Sequence, residues 1–163
     1  MPLEPRYLLV EKVFTGVSVG EGNAPRLILH LEDGRKFYME NVSYDIFVSI
    51  RRNLGEELFD DERAMITDII ENSPEFIATL SRNLRYVAID GFNPEKGVYS
   101  ATVEFANGKV CTKRVMIPSH AIYLALITGK PIYVSKQLVD EQERLYRIFE
   151  ELSRLEDGED DSE

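Results

Sequence analysis

The stretch that most constrains the fold is residues 114–134, RVMIPSHAIYLALITGKPIYV, where prolines and a glycine surround an apolar run. Pro118 suits the first turn of a helix, because proline lacks the N–H that would remain unpaired there. Ser119 or the residue before the proline is a candidate cap. Residues 121–127 offer hardly any polar face, which predicts a helix that is buried rather than amphipathic.

The end of this helix is predicted by the residues that follow it. Gly129 stands where helices commonly end in a left-handed residue, and Pro131 prevents the helix from resuming. Residues 131–134, Pro-Ile-Tyr-Val, are rich in β-forming side chains and predict a strand. The stretch therefore predicts the end of one strand, a buried helix and a second strand.

The preceding residues predict two successive units in which strands are followed by helices. In the first unit we expect strands at 7–17, 26–31 and 36–39, a loop at 20–25, and helices starting at Ser43, at Asp60 or Asp61, and at Ser73. Phe76, Ile77 and Leu80 are predicted to form the buried stripe of the third helix. In the second unit we expect strands at 84–89, 98–105 and 109–115, with a loop at 91–97 and a hairpin turn at Asn107-Gly108.

A last helix is predicted at 140–155, because Asp140 and Glu143 have the spacing of a capping box. Its apolar side chains recur at helical spacing: Leu145, Ile148, Phe149, Leu152 and Leu155. This stripe has two interpretations: it packs on the sheet, or it pairs with the same helix of a second copy.

These elements predict an α+β fold with a mixed, mostly antiparallel sheet that is built of hairpins and packed with several helices. We expect one domain over residues 1–155 and a disordered acidic tail at 156–163. The chain of 163 residues carries a net charge of −10, and six of its acids lie in the tail, so residues 1–155 carry 19 − 23 = −4. This charge argues against a general nucleic-acid binder, since phosphate affinity comes mainly from Lys and Arg.

The single cysteine, Cys111, cannot form an internal disulfide, which suits a reducing compartment. The amino-terminal residues lack the pattern of a signal peptide, and no apolar run approaches the length of a membrane span. We therefore expect a cytoplasmic protein.

The central stretch also resembles the signature of the bifunctional nuclease domain family. In that family a strand leads into an acidic residue, an Arg-Pro-Ser-Asp-Ala-Ile segment, an apolar helix and Pro-Ile-Tyr-Val. The matching residues here are Pro118, Ser119, Ala121, Ile122, Leu124, Ala125 and Pro131 to Val134. Weaker similarity in residues 16–17, 33–35 and 97–103 extends the resemblance over roughly residues 7–140.

Three signature positions differ from the family pattern. Val115 and His120 stand where the family has acidic residues, and Ile117 stands where it has the arginine. The resemblance implies a metal-dependent nuclease for DNA and RNA, using Mg²⁺ or Mn²⁺, and a homodimer or larger homo-oligomer. The alternative is a noncatalytic, self-associating module that binds a protein or a ligand.

The candidate catalytic residues are His120 and Ser119 at the start of the central helix. A helix amino terminus disfavours a protonated imidazole, so His120 is expected to be neutral and able to act as a base or a metal ligand. Asp90 and Glu104 are further candidates for binding a divalent cation. For each of these residues the alternative is a structural or solvent-exposed position.

Overall fold

The computed structural model describes residues 6–18, 23–56 and 63–160. In these residues the chain forms seven strands and five helices, and the strands form a single sheet.

The first unit begins with three antiparallel strands, β1 (Tyr7–Val17), β2 (Pro25–Leu31) and β3 (Lys36–Met39). These bounds confirm the predicted strands to within one residue. Asp33-Gly34 lies in the turn between β2 and β3, and Gly34 adopts a φ of 87°. Half of the predicted 20–25 loop, residues 20–22, lies outside the described residues.

Three helices follow: α1 (Tyr44–Asn53), α2 (Ile66–Glu71) and α3 (Pro74–Asn83). The predicted start of the second helix at Asp60 or Asp61 lies outside the described residues. The prediction of a buried stripe on α3 is wrong, because none of its residues is fully buried and Phe76 is half exposed.

The second unit contains β4 (Leu84–Asn93), β5 (Val98–Asn107) and β6 (Val110–Met116), again antiparallel. Strand β4 is longer than predicted, so residues 91–93, which were expected in a loop, belong to the strand. A bulge in β4 near Gly91 accounts for this difference, because pairing with β5 continues beyond the irregularity.

The central stretch forms α4 (Pro118–Thr128) and β7 (Ile132–Ser135), as predicted. Gly129 ends α4 with a φ of 67°, and six α4 residues are buried. The last helix, α5, spans Lys136–Asp160 and follows β7 without a loop. It therefore begins four residues before the predicted start and continues five residues past the predicted end.

The predicted capping box of the last helix is also wrong, because Asp140 lies inside α5. Instead, Arg35 binds Asp140 at 2.6 Å and Glu143 at 2.9 Å, while also contacting Asp33 at 2.8 Å. This network joins the β2–β3 turn to α5. Asp140 and Glu143, whose spacing predicts a local cap, instead bind an arginine from a distant part of the chain.

The strand order of the sheet is β3-β2-β1-β7-β4-β5-β6. Strand β7 lies at its centre, antiparallel to β1 and parallel to β4. All other strand pairs are antiparallel, so the fold is α+β with a mixed, mostly antiparallel sheet, as predicted.

The core lies between the sheet and the helices. Helices α1 and α4 pack against each other, and α4 covers β4 and β5. The largest fully buried side chains come from both units, with Phe37, Leu29, Ile50, Val87, Ile89, Ile122 and Val134 among them. No helix in the described part of the chain combines the length and apolar character that crossing a membrane requires.

Candidate functional site

The start of α4 lies at a cleft of about 720 Å³. Segments far apart in sequence form its walls: the end of β3 and the residues after it, the β4–β5 turn region, the first turn of α4, and the exposed part of α5. Its side chains are mainly apolar or aromatic, including Tyr38, Phe92, Val98, Tyr99, Ile117, Leu145, Tyr146 and Phe149. Such a surface favours apolar partners and offers few fixed charges.

The first turn of α4 explains how the signature residues reach this cleft. Ile117 occupies the N-cap position with an extended backbone, and Pro118 follows at the first helical position. The residue before the proline is thus the cap, but its side chain forms no capping hydrogen bond. Pro118 and Ser119 are buried, whereas 62% of the Ile117 surface remains exposed.

The wall formed by α5 is fixed by Gln142, which is 7% exposed. Its Oε1 accepts a hydrogen bond from the Tyr38 backbone N–H at 2.8 Å, and its Nε2 donates to the Tyr38 carbonyl at 2.8 Å. Because β3 is an edge strand, this side-chain amide satisfies backbone groups that would otherwise lie free.

Aromatic contacts connect the remaining walls. The ring of Tyr99 lies 4.9 Å from that of Phe92 and 5.1 Å from that of Phe37, measured between centroids. The ring of Tyr38 lies 5.5 Å from that of Tyr146. Burial, followed by the nearby Glu40 carboxylate, raises the pKa of Tyr146. The cleft is therefore held open by packed rings.

The two predicted catalytic residues occupy different surroundings. Ser119 lines the cleft, where it is buried. His120 is half-buried at the next position of α4 and is not among the described residues that line the cleft. The structure therefore does not bring Ser119 and His120 together into this cavity.

The other substituted signature positions are exposed apolar side chains. Val115 on β6 is 77% exposed, and Ile117 at the cleft is 62% exposed. Exposure of two large aliphatic side chains at these positions leaves an apolar surface where the family pattern has an acid and an arginine.

The two candidate carboxylates lie on strands away from the cleft. Asp90 accepts hydrogen bonds from the Tyr7 hydroxyl at 3.3 Å and from Thr102 Oγ1 at 3.0 Å. Glu104 is only 8% exposed, so the alternative expectation of a solvent-facing acid is wrong for it. Within the described residues, no three His, Cys, Asp or Glu side chains form a group that could hold a metal ion.

Sequence reasoning missed the residues that build the cleft, above all Tyr38, Tyr99, Gln142 and Tyr146. One signal was available: Gln142 is one of only two glutamines in the chain and lies in a strongly charged segment. The aromatic residues at the start and end of strands gave no signal, because their convergence depends on the order of strands in the sheet.

Comparison with known proteins identifies the family to which the chain belongs. The sequence model of the bifunctional nuclease domain matches residues 27–146, a range that runs from β2 into α5 and includes the signature stretch. No curated protein matches the chain in sequence. Because the family match covers well over half of the 163 residues, the chain belongs to the bifunctional nuclease domain family.

Proposed function

We propose that this member of the family is a noncatalytic binding module that associates with a second copy of itself through the cleft and α5. The observation that carries this proposal is a continuous exposed apolar surface around the start of α4. We call it the apolar patch and define it by seven residues that are 43–65% exposed: Val98, Ile117, Leu145, Ile148, Phe149, Leu152 and Leu155.

The patch is continuous because its members share the cleft and one helix face. Val98, Ile117, Leu145 and Phe149 line the cleft. Ile148, Leu152 and Leu155 continue the same stripe along α5, at spacings of three and four residues. Single exposed apolar residues are ordinary, but a contiguous apolar surface of this kind is typical of an interaction site.

The extent of the patch suits an interface between two copies. A stable interface buries about 800 Å² on each partner, and its centre is usually apolar with aromatic anchors. Seven large side chains together with the open cleft provide a surface of this order. Phe149, at the junction of cleft and stripe, is placed to act as such an anchor.

Charges along α5 favour an antiparallel arrangement of two copies. Residues 144–148 include Arg144 and Arg147 and no acid, whereas residues 150–157 include four acids and one arginine. If two α5 helices pack antiparallel, the basic part of each faces the acidic part of the other. A twofold axis would bring the same patch of each copy together, as in most homodimers.

The second candidate function is a metal-dependent nuclease, which family membership favours. Mg²⁺ and Mn²⁺ need several oxygen ligands, with two or three carboxylates converging. Among the described residues that line the cleft, the one carboxylate is that of Glu40, and it is paired with Arg26 at 2.8 Å. These residues do not fit a divalent cation, so we derive no catalytic step through a metal.

One experiment separates the two candidates by mass and by activity. Sedimentation velocity is compared for the native chain, for Phe149→Gln/Leu152→Gln, and for the control Glu75→Gln/Arg82→Gln, which alters exposed residues of α3 outside the patch. We expect a dimer that the first pair of substitutions converts to a monomer and the control leaves intact. A monomer at all concentrations, or a dimer unaffected by the patch substitutions, would contradict the proposal.

The activity measurement uses the same preparations. Labelled single- and double-stranded DNA and RNA are incubated with Mg²⁺, Mn²⁺ or EDTA, and we expect no cleavage above background. Metal-dependent cleavage that is lost in Ser119→Ala or His120→Ala would overturn the noncatalytic part of the proposal. Cleavage that is equal in the native chain and both variants indicates a contaminating nuclease, and this outcome agrees with the noncatalytic proposal.

A further inference from the structure

A second, smaller cavity lies away from the apolar patch, between β4, β5 and the residues that lead into β7. Its volume is about 320 Å³, at the lower end of the range for small-molecule sites. Its lining residues are Arg85, Tyr86, Glu104, Ala106, Pro131 and Tyr133. Neither the catalytic candidates at α4 nor the apolar patch includes any of them.

Strand alternation places this cavity on the face of the sheet that is opposite the helix-covered core. Val87, Val103 and Ile132 point into the core, so their neighbours Tyr86, Glu104 and Tyr133 point the other way. The sheet register supports this placement, because Tyr86 lies directly opposite Glu104.

Glu104 provides a buried negative charge at the wall of the cavity. The residue is 8% exposed, and in the described part of the chain the salt bridge that Glu104 forms is with Lys113, whose Nζ lies 4.0 Å from Oε1. That distance exceeds a hydrogen bond, and the Lys113 side chain is more than half exposed. The interaction of the Cys111 thiol with this carboxylate raises the pKa of Cys111. Burying a carboxylate is costly unless a cation approaches it closely, so the cavity favours a cationic group beside Glu104.

Arg85 provides a positive charge at another point of the same cavity. It lies at a bulge, because the pairing of β4 with β5 shifts register between Leu84 and Tyr86. Bulges redirect side chains and occur often beside functional sites. In the described part of the chain no ion pair joins Arg85 to Glu104, although both line the cavity. The two opposite charges are thus kept apart.

Two tyrosine rings and a proline separate these charges. The rings of Tyr86 and Tyr133 lie 6.3 Å apart between centroids and are nearly perpendicular, at 80°. Aromatic faces attract an ammonium group and also accept an aliphatic chain. The wall between Arg85 and Glu104 therefore suits a small organic molecule with charges at both ends of a short apolar segment.

We propose that this cavity binds a small amino acid as its zwitterion, with the carboxylate on the Arg85 guanidinium and the ammonium on the Glu104 carboxylate. Arginine pairs with carboxylates through two parallel hydrogen bonds, which fixes the orientation of the ligand. The ammonium gains a hydrogen-bonded partner in Glu104 together with the faces of the tyrosines. The volume of the cavity limits the ligand to a single amino acid rather than a peptide.

The test is titration calorimetry of the full chain with the twenty protein amino acids, together with β-alanine and γ-aminobutyrate to vary the distance between charges. For the best ligand, the amine lacking the carboxylate and the N-acetyl derivative are titrated as well. We expect both analogues to bind at least about tenfold more weakly, since each loses one charged contact. No binding of any panel member at about 10 mM, a concentration that detects millimolar affinity, would overturn the proposal.

Two variants connect the binding to the named residues. Arg85→Gln and Glu104→Gln are each expected to weaken binding at least about tenfold. The controls are Arg114→Gln and Glu95→Gln, which change exposed residues that do not line the cavity and should leave binding unchanged. Loss of the buried Glu104 carboxylate could unfold the chain. Arg85 is exposed, so Arg85→Gln is expected to retain the fold and to test the proposal independently. If Arg85→Gln binds the ligand as tightly as the native chain does, the proposed binding of a zwitterion is wrong.

Discussion

At the scale of single residues, Gln142 has the most specific role in the cleft. One side-chain amide pairs with both backbone groups of Tyr38 and also approaches the Tyr99 hydroxyl, at 3.4 Å. An amide is well suited to this position because it carries a donor and an acceptor in one plane. The edge of the sheet and the last helix are thereby joined through one buried side chain.

Replacing Gln142 by alanine should therefore destabilise the fold by about 1–3 kcal/mol, because buried backbone groups of Tyr38 lose their partners. The free energy of unfolding in urea measures this effect. Gln137→Ala, which changes an exposed glutamine five residues earlier in α5, is the matched control and should be nearly neutral. Equal unfolding free energies for the two variants would show that the paired contact contributes little.

Glu71 makes the stability of the chain depend on pH. Burial raises the pKa of Glu71, and the neighbouring Asp68 carboxylate adds to this effect. The folded state thus holds its proton at a pH where the unfolded state has released it. The resulting stability is complete below the ordinary value of 4.5 and is lost as pH rises through the higher pKa of the folded state.

We expect Glu71→Gln to remove this loss, so that its unfolding free energy exceeds that of the native chain by a small margin at neutral pH. Chemical denaturation at several values between about pH 4 and pH 7 measures the difference. Glu75→Gln on α3, an exposed acid in the same region, is the control. Curves for Glu71→Gln and the native chain that run parallel over this range would contradict the assignment.

The residue scale also limits what the sequence could reveal about the site. Ser119 was correctly associated with the start of α4, because proline at the first helical position defines the turn. His120 is a candidate base or metal ligand in the sequence because a helix amino terminus favours a neutral imidazole. Adjacent helical residues point about 100° apart, and only Ser119 lines the cleft.

At the scale of elements, α4 is the clearest case of a helix with a fixed end. Gly129 has a φ of 67° and a ψ of 29°, and its N–H donates to the Ala125 carbonyl. An added Cβ at Gly129 would meet nothing within 4 Å. Any cost of a side chain there is therefore conformational rather than steric.

Gly129→Ala should lower the unfolding free energy by about 1–2 kcal/mol, the usual cost of a left-handed conformation for a residue with a Cβ. Gly158→Ala is an informative control, because Gly158 lies within α5 and also has open space around it. Alanine favours a helix over glycine, so that variant should be neutral or slightly stabilised. The midpoints of thermal unfolding of the two variants should thus shift in opposite directions from that of the native chain, or differ clearly from each other. Equal losses of stability in Gly129→Ala and Gly158→Ala would contradict a conformational cost specific to Gly129.

Elements that depend on short-range signals were predicted well, and those that depend on long-range contacts were not. Pro118, Gly129 and Gly108 defined their helix and turn because their backbone preferences act locally. The turn is shifted by one residue from the prediction, since Asn107 pairs with Val110 and the turn residues are Gly108 and Lys109. Strand β4 was predicted too short, since only pairing with β5 extends it past a bulge. The start of α5 was missed because no loop residue separates it from β7, and the Asp140–Glu143 spacing had a different cause.

At the scale of the whole molecule, the proposed association through the apolar patch predicts that stability depends on protein concentration. If two copies bury the patch against each other, association stabilises the folded state by mass action. The cleft itself could not be predicted, because its walls come from four segments that meet only in the finished sheet. Only the α5 stripe was visible in the sequence, with its two interpretations still open.

The midpoint of thermal unfolding should therefore rise by several degrees when the protein concentration is raised about a hundredfold. Phe149→Gln/Leu152→Gln should abolish this dependence, while the α3 control Glu75→Gln/Arg82→Gln should retain it. Differential scanning calorimetry over the concentration series measures the shift. A midpoint of the native chain that does not change with concentration would show that unfolding is not linked to association.

The central position of β7 also determines the order in which the nascent chain can complete its sheet. β1 to β3 and β4 to β6 each pair with neighbours in sequence, so both groups can form early during synthesis. In the described sheet β7 is the last strand in the sequence and joins the two groups, and its pairing of Ser135 with Tyr7 connects residues that are far apart in the sequence. Until then, β1 and β4 expose free edges, and unpaired edges are where two incomplete chains pair wrongly. Conditions that delay the pairing of β7 with β1 and β4 should therefore promote aggregation.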